Sequence, residues 1–100
     1  MTMDFKGVEI GRFRPRPGVD RETLLAASDQ LNRDYIAHQP GILCRQLIDL
    51  GDGWFVDLAL GRDRETVEAV CQGWIGTPVC EAFLALIDPE TAEMWFGSTT

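Results

Sequence analysis

Ile42-Leu43-Cys44-Arg45-Gln46-Leu47-Ile48-Asp49-Leu50-Gly51-Asp52-Gly53-Trp54-Phe55-Val56-Asp57-Leu58-Ala59-Leu60-Gly61 decides the fold. Two runs rich in aliphatic and aromatic residues, Ile42–Leu50 and Trp54–Leu60, flank Gly51-Asp52-Gly53. Asp-Gly between such runs is a strong short-range hairpin signal. A three-residue loop centred on Asp52 pairs Leu50 with Trp54, Ile48 with Val56, Gln46 with Leu58 and Cys44 with Leu60. One face then carries Ile42, Cys44, Gln46, Ile48, Leu50, Trp54, Val56, Leu58 and Leu60, apolar except for Gln46. A two-residue loop would set Asp49 opposite Val56 and Ile48 opposite Asp57. A slip of one residue sends side chains to the wrong face, so the first register is expected.

The other face carries Leu43, Arg45, Leu47, Asp49, Phe55, Asp57 and Ala59. It is too apolar for a face wholly in water and too charged for the core of a monomer. The expectation is therefore helices on the apolar face and a partner subunit on the mixed face. Asp57 then needs an arginine partner, Arg12, Arg14 or Arg45, because a buried unpaired carboxylate is costly.

The 100 residues fit one domain, and 9 Lys and Arg against 16 Asp and Glu give a net charge of −7. Such a chain repels phosphate backbones, so nucleic acid is not an expected partner. The start, Met1-Thr2-Met3-Asp4-Phe5-Lys6, has no apolar core of a signal peptide, and no apolar run would span a bilayer. Cys44, Cys71 and Cys80 are odd in number and lack Cys-x-x-Cys spacing, which argues against a zinc knuckle or a disulfide scaffold. A cytoplasmic protein without a membrane partner, metal or cofactor is expected.

Working outward, Val8 to Arg14 alternates as a first strand, ended by Pro15 and Pro17. Asp20 caps a helix whose inner face holds Leu24, Ala27, Ser28, Leu31, Tyr35 and His38. Gln39-Pro40-Gly41 stops it. After the hairpin, Asp63 caps a second helix with an apolar stripe of Val67, Val70, Cys71, Trp74 and Ile75. Gly76 interrupts that helix, Thr77-Pro78 restarts it, and Asp88-Pro89 ends it. Thr91 to Phe96 reads as a last strand, with Gly97 to Thr100 frayed. Asp20-Arg21-Glu22-Thr23 recurs as Asp63-Arg64-Glu65-Thr66, an offset of 43 residues. The two copies fit βαβ halves related by a pseudo-twofold. The order βαββαβ is the ferredoxin-like arrangement of a four-stranded antiparallel sheet, with the first and third strands central. The offset sets Gly11 and Phe13 toward the helices and puts Arg12 and Arg14 with Asp57.

Three segments carry a family resemblance: Val8-Glu9-Ile10-Gly11-Arg12-Phe13-Arg14-Pro15-Arg16-Pro17-Gly18, Gln39-Pro40-Gly41-Ile42-Leu43 and Phe83-Leu84-Ala85-Leu86-Ile87-Asp88-Pro89. They resemble antibiotic-biosynthesis-monooxygenase-like proteins of the dimeric α+β barrel superfamily. The resemblance implies a homodimer joined sheet to sheet, with a pocket between sheet and helices in each subunit. It implies one of several activities: cofactor-free oxygenation of polyphenols, haem degradation, polyketide cyclisation or ligand binding. Haem degradation in that family uses a histidine on the second helix, where this chain has none. Relatives often carry a histidine in the last strand, where this chain reads Met94-Trp95-Phe96.

A pocket between helices and sheet is expected to be lined by Tyr35, His38, Gln46, Trp54 and Trp74, with Gly11 leaving room. Such walls suit a planar aromatic ligand. A cofactor-free oxygenase must deprotonate its substrate and hold the anion beside O2. His38 is the candidate catalytic base, with Gln46 or Tyr35 as donor to the anion. The functional expectation is a monooxygenase-like enzyme for a small aromatic or polyketide-like compound. The alternative is a non-catalytic small-ligand-binding or structural protein of the same fold.

Overall fold

A computed structural model describes residues 4–100. Of the start expected to lack a signal peptide, the first three residues lie outside the described residues. The elements are β1 (Gly7–Phe13), α1 (Arg21–Asp34), a 3₁₀ turn (Ile36–His38), β2 (Ile42–Gly51), β3 (Trp54–Gly61), α2 (Arg64–Gln72), α3 (Pro78–Leu84) and β4 (Glu93–Ser98). They form a four-stranded antiparallel sheet in the order β2-β3-β1-β4, ferredoxin-like as expected, with β3 and β1 central. Asp20 and Asp63 cap their helices alike, each accepting a backbone bond of 2.7 Å, from Thr23 and Thr66. No helix among the described residues is long and apolar enough to cross a membrane.

The hairpin keeps Ile48 opposite Val56, Gln46 opposite Leu58 and Cys44 opposite Leu60. Its tip differs from expectation: Gly51, not Leu50, pairs with Trp54. Gly51, Asp52 and Gly53 all have positive φ, at 86°, 54° and 82°. Two consecutive positive values at Asp52-Gly53 make a tight turn of the kind that joins twisted strands. The extra residue, Leu50, is taken up as a bulge between Asp49 and Gly51, where Asp49 Oδ1 accepts the Gly51 N–H at 2.8 Å.

The two faces of the sheet are assigned opposite to the expectation. Phe55, Asp57, Ala59 and Gly61 of β3, with Arg45 of β2, are buried beneath the helices. Gly7, Glu9 and Phe13 of β1 join them, Phe13 sitting directly opposite Phe55. The offset argument is right for Gly11 and Phe13 and wrong for Arg12 and Arg14, which lie on the other side. The core is Phe13, Leu24, Leu31, Phe55, Cys80 and Phe83, with the Phe13 ring 6.0 Å from both Phe55 and Phe83. The apolar face has no helix over it: Ile10, Ile48, Leu50 and Trp95 are 38%, 37%, 54% and 49% exposed. The reason is polar self-sufficiency. Arg45 and Asp57 of the mixed face pair with each other, and Arg45 also bonds Ser28 and Asn32 of α1, so helices can cover that face and the more apolar one is left over.

The last strand starts two residues later than expected. Thr91 is held in the preceding turn, where it accepts the Arg14 N–H at 2.9 Å and donates to Asp88 O at 2.8 Å. Gly97 and Ser98 pair with Val8 and Gly7, and Thr99 N–H donates to Lys6 O at 2.9 Å, so this end is pinned to the sheet edge rather than frayed.

Candidate functional site

Alternation along β1 and β3 puts Glu9 and Asp57 on the helix side, and β2 brings Arg45 beside them. Arg45 Nε and Nη2 donate to Asp57 Oδ1 and Oδ2 at 3.1 and 2.8 Å. Arg45 Nη1 donates to Ser28 Oγ and Asn32 Oδ1, both at 2.9 Å. Ser28 and Asn32 are one helical turn apart on α1, so both reach the same nitrogen. The guanidinium carbon lies 5.2 Å from the Phe83 ring centre and 5.9 Å from that of Trp74.

Glu9 is 4% exposed, and its Oε2 has no hydrogen-bond partner among the described residues. Burial pushes its carboxyl up to about 8, Asp57 pushes the same way, and Arg45 opposes them. Burial also pushes Asp57 up, against the pull of two bonds from Arg45. The bidentate guanidinium favours the ionised form of Asp57 and so opposes the burial that raises it. Gly11 leaves space for this carboxyl: a Cβ there would stand 3.0 Å from Glu9 Oε1.

Glu9 and Asp57 form part of the wall of a cavity of about 570 Å³ between α2, α3 and the β1–β4 side of the sheet. Phe13, Cys71, Trp74, Ile75, Leu84, Ile87 and Met94 supply most of its apolar wall, and Arg12, Arg16 and Glu93 also line it. Trp74 packs edge-on to Phe83, 6.1 Å between centres, and its Nε1–H is buried without an acceptor among the described residues. Burial pushes the Cys71 thiol up to about 12, reinforced by Glu9 and Asp57, and burial takes Cys80 to about 11. Among the described residues no group of three or more His, Cys, Asp or Glu is arranged to hold a metal ion.

Of the five residues expected around one pocket, only Trp74 lines this cavity. Tyr35 caps α1, and its hydroxyl already donates to Val70 O at 2.6 Å. Gln46 and Trp54 lie on the uncovered side of the sheet, as the reversal of faces requires. Arg12 stacks 3.8 Å above the Trp54 ring, and Arg14 lies 5.0 Å from it. His38, expected to face the interior, is exposed. The regular helix ends at Asp34, and the tighter 3₁₀ turn that follows rotates residue 38 off the inner face. Sequence reasoning misses Glu9 and Asn32, and it finds Arg45 and Asp57 only as a possible ion pair. The signal for Glu9 is present in the sequence: it shares the parity of Gly11 and Phe13, both of which that reasoning turns inward.

An α+β sheet with helices on one face and an apolar cavity beneath them defines a class of ferredoxin-like protein. Within it, the chain has the fold of the antibiotic-biosynthesis-monooxygenase-like proteins, as solved structures show. A single-site variant of SnoaB, a cofactor-independent oxygenase from Streptomyces nogalater, superposes with a TM-score of 0.74 at 18% identity, over 96% of this chain and 94% of that one. A Caulobacter crescentus protein assigned to the antibiotic biosynthesis monooxygenases gives 0.72 at 14% identity, over 96% and 91%. A dimeric ferredoxin-like protein from an uncultured marine organism gives 0.64 at 7% identity, over 97% and 90%. No protein-family model matches the chain, and no curated protein matches its sequence.

Proposed function

We propose that this protein is a cofactor-independent, monooxygenase-like enzyme acting on a small aromatic or polyketide-like compound bound in the cavity. The observation that carries the reading is the cavity itself: about 570 Å³, mostly apolar, with two polar atoms, Glu9 Oε2 and Trp74 Nε1, left without partners. Volume and lining are those of a small-molecule site. The fold shared with a cofactor-independent oxygenase supports the same reading. In such a reaction an activated CH2 loses two hydrogens and gains one oxygen atom from O2. The other oxygen atom leaves as water, so the substrate supplies all the electrons.

The functional unit in this reading is a homodimer joined through the uncovered apolar face. Ile10, Ile48, Leu50 and Trp95 are exposed together on this face, and clustered exposed apolar side chains support an interaction surface there. The mixed face, expected from the sequence as the interface, is occupied by the subunit's own helices.

The exposed position of His38 favours a second reading, a non-catalytic binder of the same ligands, because it removes the expected base from the cavity. Oxygen uptake across a panel of phenols and anthrones separates the two. Turnover that incorporates one atom of labelled O2 per product supports the enzyme. Binding of panel members without oxygen uptake supports the binder.

A further inference from the structure

Six titratable side chains line the cavity among the described residues: Glu9, Arg12, Arg16, Asp57, Cys71 and Glu93. The two arginines have no lone pair with which to accept a proton. Asp57 gives both carboxylate oxygens to Arg45. Burial, reinforced by Glu9 and Asp57, holds the Cys71 thiol up at about 12, so it is no base at neutral pH. Glu93, the first residue of β4, is exposed to water. Glu9 remains. Its carboxyl lies over the bare backbone of Gly11, where a Cβ would stand 3.0 Å from Oε1, and both residues belong to the cavity wall. Oε2 is the oxygen sealed from water without a donor among the described residues. Oε1 is the one at Gly11, on the space that the missing side chain leaves. The guanidinium of the cluster directs its donors to Asp57, Ser28 and Asn32, and none to Glu9. A buried carboxylate without donors holds a proton more tightly than an exposed one.

We infer that Glu9, not His38, is the catalytic base, and that its Oε1 takes a proton from an activated C–H bond of the substrate in the cavity. The inference deepens the enzyme reading above and rests on it for the reaction. In this step the C–H bond breaks, its electron pair stays on the substrate, and an O–H bond forms on Glu9. O2 then takes up the electrons, and the proton leaves with the water formed, so Glu9 returns to its ionised form. Two demands on a base are met together. It stands on the cavity wall, and its affinity for a proton suits work near neutral pH. With the carboxyl pushed up to about 8, roughly a tenth of Glu9 is ionised at pH 7, by the ordinary titration relation. The groups facing Glu9 are Asp57 from β3, Arg45 from β2 and Cys71 from α2, with Arg12, Arg16 and Glu93 elsewhere on the wall. Arg45 stays charged and Cys71 stays a thiol through this range, so they set the field around Glu9 without titrating in it.

The test separates proton removal from oxygenation. Full-length protein is mixed with anthrone in heavy water without oxygen, and exchange of the CH2 hydrogens for deuterium is followed by NMR above the uncatalysed rate. The wild type should speed the exchange, with a rate that rises with pH and levels off above about 8. Glu9→Gln keeps the size of the side chain and loses the base. It should slow the exchange by about 10²-fold, the lower end of what a positioned base contributes, while anthrone affinity holds. Oxygen uptake should fall with it. Exchange and uptake that survive in Glu9→Gln overturn the inference and leave the oxygenase reading standing. So does a loss in Glu93→Gln that Glu9→Gln does not share, which gives the base to Glu93. Exchange that depends on Glu9 without oxygen uptake supports the inference as proton removal and removes the oxygenase reading. No exchange by the wild type overturns it. The wild type alone decides the matter if a variant does not fold. An exchange rate flat across the range around pH 8, or glutamate carboxyls labelled with carbon-13 that all titrate in the ordinary acidic range, overturns the assignment of Glu9.

Discussion

Arg45 and Asp57 are diagonal neighbours on adjacent strands, and two guanidinium nitrogens meet two carboxylate oxygens at 3.1 and 2.8 Å, with side chains 0% and 7% exposed. Removing the carboxylate leaves a buried cation, and breaking such a pair typically costs about 3–5 kcal/mol. Asp57→Ala should therefore lose stability on that scale in urea denaturation. A loss under about 1 kcal/mol, the worth of a surface pair, would show that water reaches this cluster.

Glu9 should give the protein a distinctive pH dependence. In the unfolded chain its carboxyl loses its proton near the ordinary 4.5, and in the folded chain it keeps it up to about 8. Between those values the folded state binds more protons, so stability falls as pH rises. This contribution is complete below pH 4.5 and lost above about 8. A tenfold change in the affinity for a proton corresponds to roughly 1.4 kcal/mol. The difference in unfolding free energy between wild type and Glu9→Gln should move by a few kcal/mol across that window, against the wild type. A difference independent of pH would contradict the burial described for Glu9.

The reversal of faces makes a paired prediction. Phe55→Glu puts a charge beneath the helices and should unfold the subunit, seen as lost circular dichroism. Ile10→Glu, on the uncovered face, should leave the subunit folded and shift its mass in light scattering from two chains to one. If Phe55→Glu gave a folded monomer, the helices would not cover the face assigned to them.

Gly7 lets strand and helix approach closely: a Cβ there would overlap backbone atoms of Asp63 and Arg64 at the start of α2. Backbone cannot step aside as a side chain does. Gly7→Ala should cost at least 1–3 kcal/mol, roughly the range for overpacking. Gly97→Ala, in the paired edge strand with open space around it, should cost less than about 1 kcal/mol. Melting temperatures of the two variants check the contrast.

The strand pairs, both helix caps and the central strands are legible in the sequence because each rests on local spacing: Asp-Gly at a turn, Asp followed by Thr three residues on, apolar residues two apart. Which face the helices cover is not legible from periodicity. Parity shows that Arg45, Phe55 and Asp57 share a side, not that Arg45 finds Ser28 and Asn32 on α1. Hydrophobicity favours covering the apolar face, and long-range polar pairing decides otherwise. The expected site inherits that error, since Gln46 and Trp54 lie on the side that faces away from the cavity. Trp74 lines the cavity from the turn just after α2, which ends at Gln72, before the expected stripe does.

The Cys71 thiol, held up to about 12 within the cavity wall, bears on what the cavity can tolerate. Thiolates, not thiols, attack electrophiles. At neutral pH roughly one Cys71 in 10⁵ is ionised, by the ordinary titration relation. Quinones and other electron-poor rings, which ordinarily arylate protein sulfur, would meet a nearly inert wall. The same burial that disfavours charge at Glu9 thus leaves the cavity's cysteine a poor target for any electrophile that enters.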